Sequence, residues 1–107
     1  MLAGAGAAIA LSATKPVRAA VYGIGHAHAM GKVAALRALP QFELAGICEP
    51  DSTQPRTNKA LEGVRWLSQR EILEDASIEL IAVESRVQEN LAYARQAVDA
   101  GKFVHLD

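Results

Sequence analysis

Two rhythms of apolar residues alternate along the chain. Short, nearly continuous apolar runs fall at Arg18 to Tyr22, Phe42 to Cys48, Val64 to Trp66, Leu80 to Val83 and Lys102 to Leu106. Runs of that length, apolar on both sides of the chain, suit strands of a parallel sheet covered on both faces. Between them the apolar positions recur every three or four residues, as in helices. Ala27 to Leu39 places Met30, Val33, Ala34 and Leu36 toward the sheet, and Pro40 stops it. A second helix, with only a thin apolar stripe, is expected from Ser52 or Thr53 to Leu61, with Pro55 in its first turn and Gly63 closing it. The segment Leu67 to Ile72 opens a third, with Ser68 and Glu71 as a capping box and Leu67 and Ile72 as a hydrophobic staple. Ser85 to Gln88 reads as another capping box, opening a helix whose stripe is Val87, Leu91, Ala94 and Val98 and whose end is marked by Gly101.

The order β-α-β-α-β-α-β-α-β predicts an α/β fold with a doubly wound parallel sheet of the Rossmann type, strand order 3-2-1-4-5. In such a sheet ligands lie beyond the carboxyl ends of the strands, where the first and fourth strands diverge. The loops flanking that crevice are Gly23 to His28 and Glu84 to Asn90. At 107 residues the chain forms one domain, assigned to residues 14–107, with a leader at residues 1–13. The leader is uncharged, rich in Ala and Gly, and ends in Leu-Ser-Ala, as around an export cleavage site, but it has no positive n-region. It reads as the remnant of a twin-arginine-type signal whose start was lost, as a mobile cytoplasmic leader or as the product of a badly chosen start codon, which leaves export or cytoplasmic residence open.

Composition narrows the partners. A net charge of −1 provides no basic patch for nucleic acid or an anionic membrane. The single cysteine, Cys48, forms no internal disulfide and is expected to be a small buried hydrophobe.

The first strand runs into Gly23-Ile24-Gly25-His26-Ala27-His28, a tight strand-to-helix turn. Gly23 permits the turn, Gly25 lets backbone approach a pyrophosphate, and the helix start offers amides and a positive dipole end to phosphates. Glu49 ends the second strand about 20 residues further on, where the dinucleotide fingerprint has its ribose-binding acid. Its charge would repel a 2′-phosphate, so NAD is favoured over NADP, and Arg56 is expected a full turn into the following helix. The third glycine of the fingerprint is replaced by His28, so the helix is expected to start further out or to tilt. An S-adenosylmethionine site is the alternative, but its usual acid just before the first glycine is missing from Ala19 to Tyr22.

The turn GIGHAHAMGK, the strand end ICEPD and the segment NLAYARQAVDAGKFVHLD together resemble the N-terminal domain of the Gfo/Idh/MocA oxidoreductases, from Val17 to Asp107. That resemblance implies an NAD(P)-dependent oxidoreductase acting on a sugar, polyol or related alcohol. It also implies a Glu-Lys-Pro motif, whose first position is Asp107 here; the lysine and the sheet-rich substrate domain are not in the sequence. No catalytic residue is therefore assigned. The loop after the fourth strand has Ser85-Arg86 where the family often has Thr-Pro, and Asn90 where it often has a histidine. Gly23, Gly25, His26, His28, Glu49 and Ser85 are the expected cofactor-binding residues. The expected partners are the dinucleotide and, in an intact protein, a sugar-like substrate; a homo-oligomer is left open. The alternative function is a non-catalytic dinucleotide-binding or interaction module. No metal is expected, because the spacing of His26 and His28 supplies too few ligands unless Glu49 or His105 comes close. Trp66 is expected at a core edge, and Arg65, Arg70 and Glu71 on a solvated face.

Overall fold

A computed structural model of the chain describes residues 15–107. The leader assigned to residues 1–13 lies outside the described residues. Four strands, β1 (Val17–Tyr22), β2 (Phe42–Cys48), β3 (Leu80–Val83) and β4 (Phe103–Leu106), form one parallel sheet in the order β2-β1-β3-β4. Helix α1 (Ala29–Ala38) packs on one face; α2 (Gln69–Glu74) and α3 (Val87–Asp99) pack on the other. Among the described residues no helix is long and apolar enough to cross a membrane.

β1 is central because its side chains are small or apolar on both faces. Ala19, Ala20, Val21 and Tyr22 are all fully buried. Ala19 and Val21 meet Val33 and Leu36 of α1, whereas Ala20 and Tyr22 meet Ile72 of α2, Ile81 of β3 and Ala97 of α3. β2 carries one extra residue against β1: Ala19 pairs with Leu44 but Ala20 pairs with Gly46, so Ala45 has no partner and forms a bulge.

The expected third strand is reduced to a single bridge between Trp66 and Ile47, so the sheet has four strands rather than five. Two backbone bonds hold it, from Ile47 N to Arg65 O (2.9 Å) and from Leu67 N to Ile47 O (2.7 Å). This close approach depends on Gly46, where a β-carbon would lie 2.6 Å from the Arg65 carbonyl oxygen. The helix expected from Ser52 or Thr53 to Leu61 does not form, and only a 3-10 turn at Lys59–Leu61 exists. Asp51 instead accepts from the Thr53 amide (2.9 Å) and hydroxyl (2.6 Å), which offers the backbone a turn in place of a helix. With little apolar surface to bury, the segment has nothing to set against that competition.

The capping box at Ser68 and Glu71 is present, and Leu67 and Ile72 are both buried. The second box is not: α3 begins at Val87 with Arg86 as an N-cap that makes no side-chain bond, and Ser85 Oγ donates to Asn90 Oδ1 (2.6 Å). The buried stripe of α3 differs too. Ala94 and Ala97 are buried, whereas Val87, Leu91 and Val98 are exposed. Polar anchors fix this rotation. The Tyr93 ring stacks on Tyr22 at 4.0 Å, and the Tyr22 hydroxyl donates to Gln96 and accepts from Gln69 (2.7 Å). Asn90, Tyr93, Gln96 and Ala97 thus define the inward face. In α1, Ala29, Val33 and Leu36 are buried while Ala34 is exposed. Gly101 has φ +82° and ends α3 as expected, its amide donating to Val98 O (2.9 Å).

Two substitutions separate the expected stripe from the observed one. Ile81→Ala, in the fully buried part of β3, should lower unfolding free energy by about 2–5 kcal/mol. Leu91→Ala should change it by no more than about 0.5 kcal/mol, as at an ordinary surface position. Urea unfolding of both variants measures the contrast.

Candidate functional site

The carboxyl ends of β1, β2 and β3 converge on the glycine turn. At its start Gly23 has φ +82°, and its amide donates to Cys48 O at the end of β2 (2.7 Å). A β-carbon there would lie 2.5 Å from the Ser85 β-carbon and 2.8 Å from its α-carbon, so only glycine lets the turn rest on the loop after β3. His26 N donates to Glu84 O (2.9 Å), a second tie to that loop. Helix α1 then begins at Ala29, with His28 as its N-cap; no side chain caps it and its first turn has no acid. Its positive end is thus met by no side-chain cap and no acid of its own first turn.

Glu49 meets the turn directly. One carboxylate oxygen accepts from Ile24 N (2.7 Å) and the other from Asp51 N (2.9 Å), in a site 8 % exposed. Each carboxylate oxygen has a further lone pair, so the acid can hold these bonds and still accept from a hydroxyl. Arg56 is not a helical turn away: its guanidinium lies over the Trp66 ring, 4.1 Å from the centroid, and donates to Glu49 O (3.1 Å). Trp66 is half-buried at the core edge, as expected. Two further side chains reach the turn. A β-carbon at Gly25 would meet Arg86 Cγ at 2.6 Å and Gln54 Nε2 at 3.1 Å, and Arg86 bonds Glu89 (2.9 Å) with Asp51 3.9 Å away.

The histidines face the other way. His28 N donates to His26 Nδ1 (3.0 Å), and His28 Nδ1 lies 3.6 Å from an Asp107 carboxylate oxygen. Neither ring contacts Glu49; both turn to the β4 side, where His105 and Asp107 stand. Ser85 is buried, and its hydroxyl donates to Asn90, whose Nδ2 donates in turn to Asp107 O (3.1 Å). The structure thus joins Gly23, Gly25, Glu49 and Ser85 around the turn and sets His26 and His28 against Asp107.

Electrostatics single out one residue that sequence reasoning passed over. Glu84 follows β3 immediately and is fully buried, and among the described residues the one polar partner of its carboxyl is the Asp107 carboxyl. Burial, then the Asp107 carboxyl beside it, pushes Glu84 up to about 7, against the opposing Lys32 ammonium. A hydrogen bond with Glu84, followed by one with His28, holds Asp107 below the ordinary carboxylate range. The signal in the sequence was a charged residue closing the apolar run Leu-Ile-Ala-Val. Burial, and next the Glu49 charge, push Cys48 up to about 11, so it remains a thiol at neutral pH and is no nucleophile.

No protein-family model matches the chain, and none of the curated proteins does. Solved structures do. The Bacillus subtilis protein yvaA, named as a candidate oxidoreductase, superposes with TM-score 0.67 at 19 % identity over 83 % of this chain and 25 % of its own. A Yersinia pestis protein, likewise a candidate oxidoreductase, gives TM-score 0.66 at 23 % identity over 85 % of this chain and 26 % of its own. D-galactose-1-dehydrogenase of Rhizobium etli gives TM-score 0.67 at 24 % identity over 88 % of this chain and 29 % of its own. These likenesses show the fold, a Rossmann-like parallel α/β unit, and the chain spans 25–29 % of each of those proteins.

The turn offers a direct test of its geometry. Gly23→Ala imposes a left-handed conformation on alanine and drives its β-carbon into Ser85, and should cost on the order of 2 kcal/mol or more. Gly31→Ala, in α1 with nothing within 4 Å of the added carbon, should be neutral or stabilising. Thermal unfolding of the pair reads the difference.

Proposed function

We propose that the chain binds a nicotinamide dinucleotide, NAD in preference to NADP, as the cofactor-binding region of an oxidoreductase acting on a sugar, polyol or related alcohol. The observation that carries this reading is the bond from Ile24 N to Glu49 Oε1, which brings the acid of β2 into the glycine turn of β1. In that arrangement Gly23 and Gly25 allow backbone to approach a pyrophosphate, and the N-terminus of α1 faces the phosphates. Glu49 accepts from the adenosine ribose hydroxyls, and its charge opposes a 2′-phosphate. Arg86 and Gln54 lie over Gly25, so both side chains swing aside or turn their donors to the phosphates as the dinucleotide enters. Being an arginine, Arg86 is suited to the second course.

The bound dinucleotide would supply hydride transfer, while this chain positions it. The solved oxidoreductases of the same fold, one of them a sugar dehydrogenase, support that chemical class. So does the resemblance to the Gfo/Idh/MocA oxidoreductases, in which substrate groups come from a second domain.

Titration of the purified chain with NADH, NADPH and S-adenosylmethionine tests the proposal. NADH should bind tightest; tighter S-adenosylmethionine binding refutes it. Glu49→Gln should narrow the NADH-to-NADPH affinity ratio by about tenfold, equivalent to about 1.4 kcal/mol. The ratio is insensitive to any general loss of stability, and an unchanged ratio removes Glu49 from nucleotide selection.

A further inference from the structure

The β4 side of the turn holds a group of side chains outside the dinucleotide contacts proposed above at Gly23, Gly25, Glu49 and Arg86. Glu84, His105 and Asp107 bring one ligand atom each to within 4.8 Å of one another, and His26, His28 and Asp107 do the same. The two sets share Asp107. Glu84 reaches them from the end of β3 and His105 from β4, while the histidines of the turn come from before α1. An exposed collection of carboxylates and imidazoles would need no ligand. This one includes a fully buried carboxyl group, Glu84, set directly against a second acid, Asp107, with no other donor reaching its oxygens among the described residues. Two acids side by side, one of them buried, repel when both are ionised, and a cation between them removes that cost.

We propose that this cluster is a binding site for a divalent transition-metal ion of the zinc type, held by Glu84, His105 and Asp107. The donors select the metal: mixed imidazole and carboxylate ligands suit zinc and its neighbours, whereas magnesium prefers oxygen alone. Three protein ligands with a water in the fourth position match an open tetrahedral zinc site. Donors in such a tetrahedron sit about 3.4 Å apart at zinc-ligand distances of about 2.0–2.2 Å, so the three side chains, now within 4.8 Å of one another, close further on binding. His28 Nδ1 lies 3.6 Å from Asp107 on its other side and helps orient that carboxylate.

Lys32 marks the place of the cation. Its ammonium lies 2.7 Å from His105 Nε2, and the same open hollow of about 600 Å³ is lined by His28, Lys32, His105 and Asp107. In the metal-free chain Lys32 provides the positive charge that faces the carboxylates. A metal ion takes its place, and the half-buried lysine swings into solvent. Removing the lysine charge therefore has a sign opposite to removing a ligand.

Isothermal titration of the full chain with zinc alone, without nucleotide, tests the site independently of the dinucleotide proposal. One equivalent should bind, and magnesium at the same concentration should not. Glu84→Gln and His105→Ala should each weaken zinc by about tenfold or more. Lys32→Met should tighten it several-fold, with circular dichroism melts confirming that each variant folds. His105 is exposed, so its replacement remains informative even if Glu84→Gln is poorly folded. Failure of the wild-type chain to bind zinc stoichiometrically overturns the proposal. So does binding indifferent to both ligand variants, or magnesium binding as tightly as zinc.

Discussion

The fit of Gly23 against Ser85 is the constraint on which the rest of the structure depends. Three strands end within a few ångströms of this contact: β1 runs into it, β2 accepts the Gly23 amide through Cys48, and the loop after β3 rests on it. A side chain at Gly23 would push the β3 loop off the turn, and with it the carbonyl of Glu84 that holds His26. The strand ends are thus drawn together by steric permission at one residue, and the polar bonds around it add direction. Parallel sheets commonly place their ligands at such an edge. Here the edge divides into an acid-bearing half at Glu49 and a histidine-bearing half at Asp107.

The helices show which physical signals a sequence carries well. Ser68 and Glu71 form their box because capping is local: donor and acceptor lie three residues apart, and no tertiary partner is needed. The stripe of α3 was misread because its orientation is decided at long range. The Tyr22–Tyr93 stack and the Tyr22–Gln96 bond rotate alanines inward, and neither can be inferred from hydropathy. Larger apolar residues are then left outside, which reverses the usual weight of size. The helix expected after Glu49 failed for a different reason: Asp51 and Thr53 closed a local turn first.

The candidate site was legible in part for the same reasons. Gly23, Gly25 and Glu49 could be singled out because their roles follow from position relative to strands. That Glu49 bonds the turn itself, through Ile24, required the fold. Ser85 sits where expected, yet its hydroxyl is committed to Asn90, a partner that only the path of α3 brings near. Glu84, His105 and Asp107 lie up to 23 positions apart, and only the β3–β4 pairing, which sets Val83 opposite Leu106, makes them neighbours.

The unpaired residue in β2 has a consequence for how the acid is aimed. Side chains of a strand alternate between faces, yet Leu44 and Ile47, three positions apart, contact the same α1-side cluster. Ala45 and Cys48 likewise share the opposite one. The bulge has inverted the phase of everything after it, and Glu49 therefore emerges on the side of Ile47 and Ile24, where the glycine turn lies. Loss of one residue from this strand would preserve its composition and hydrophobicity while presenting the carboxylate to the wrong face of the sheet. The address of the acid is thus written in a count of residues as much as in their identity, and insertions or deletions upstream of it act as switches of its direction.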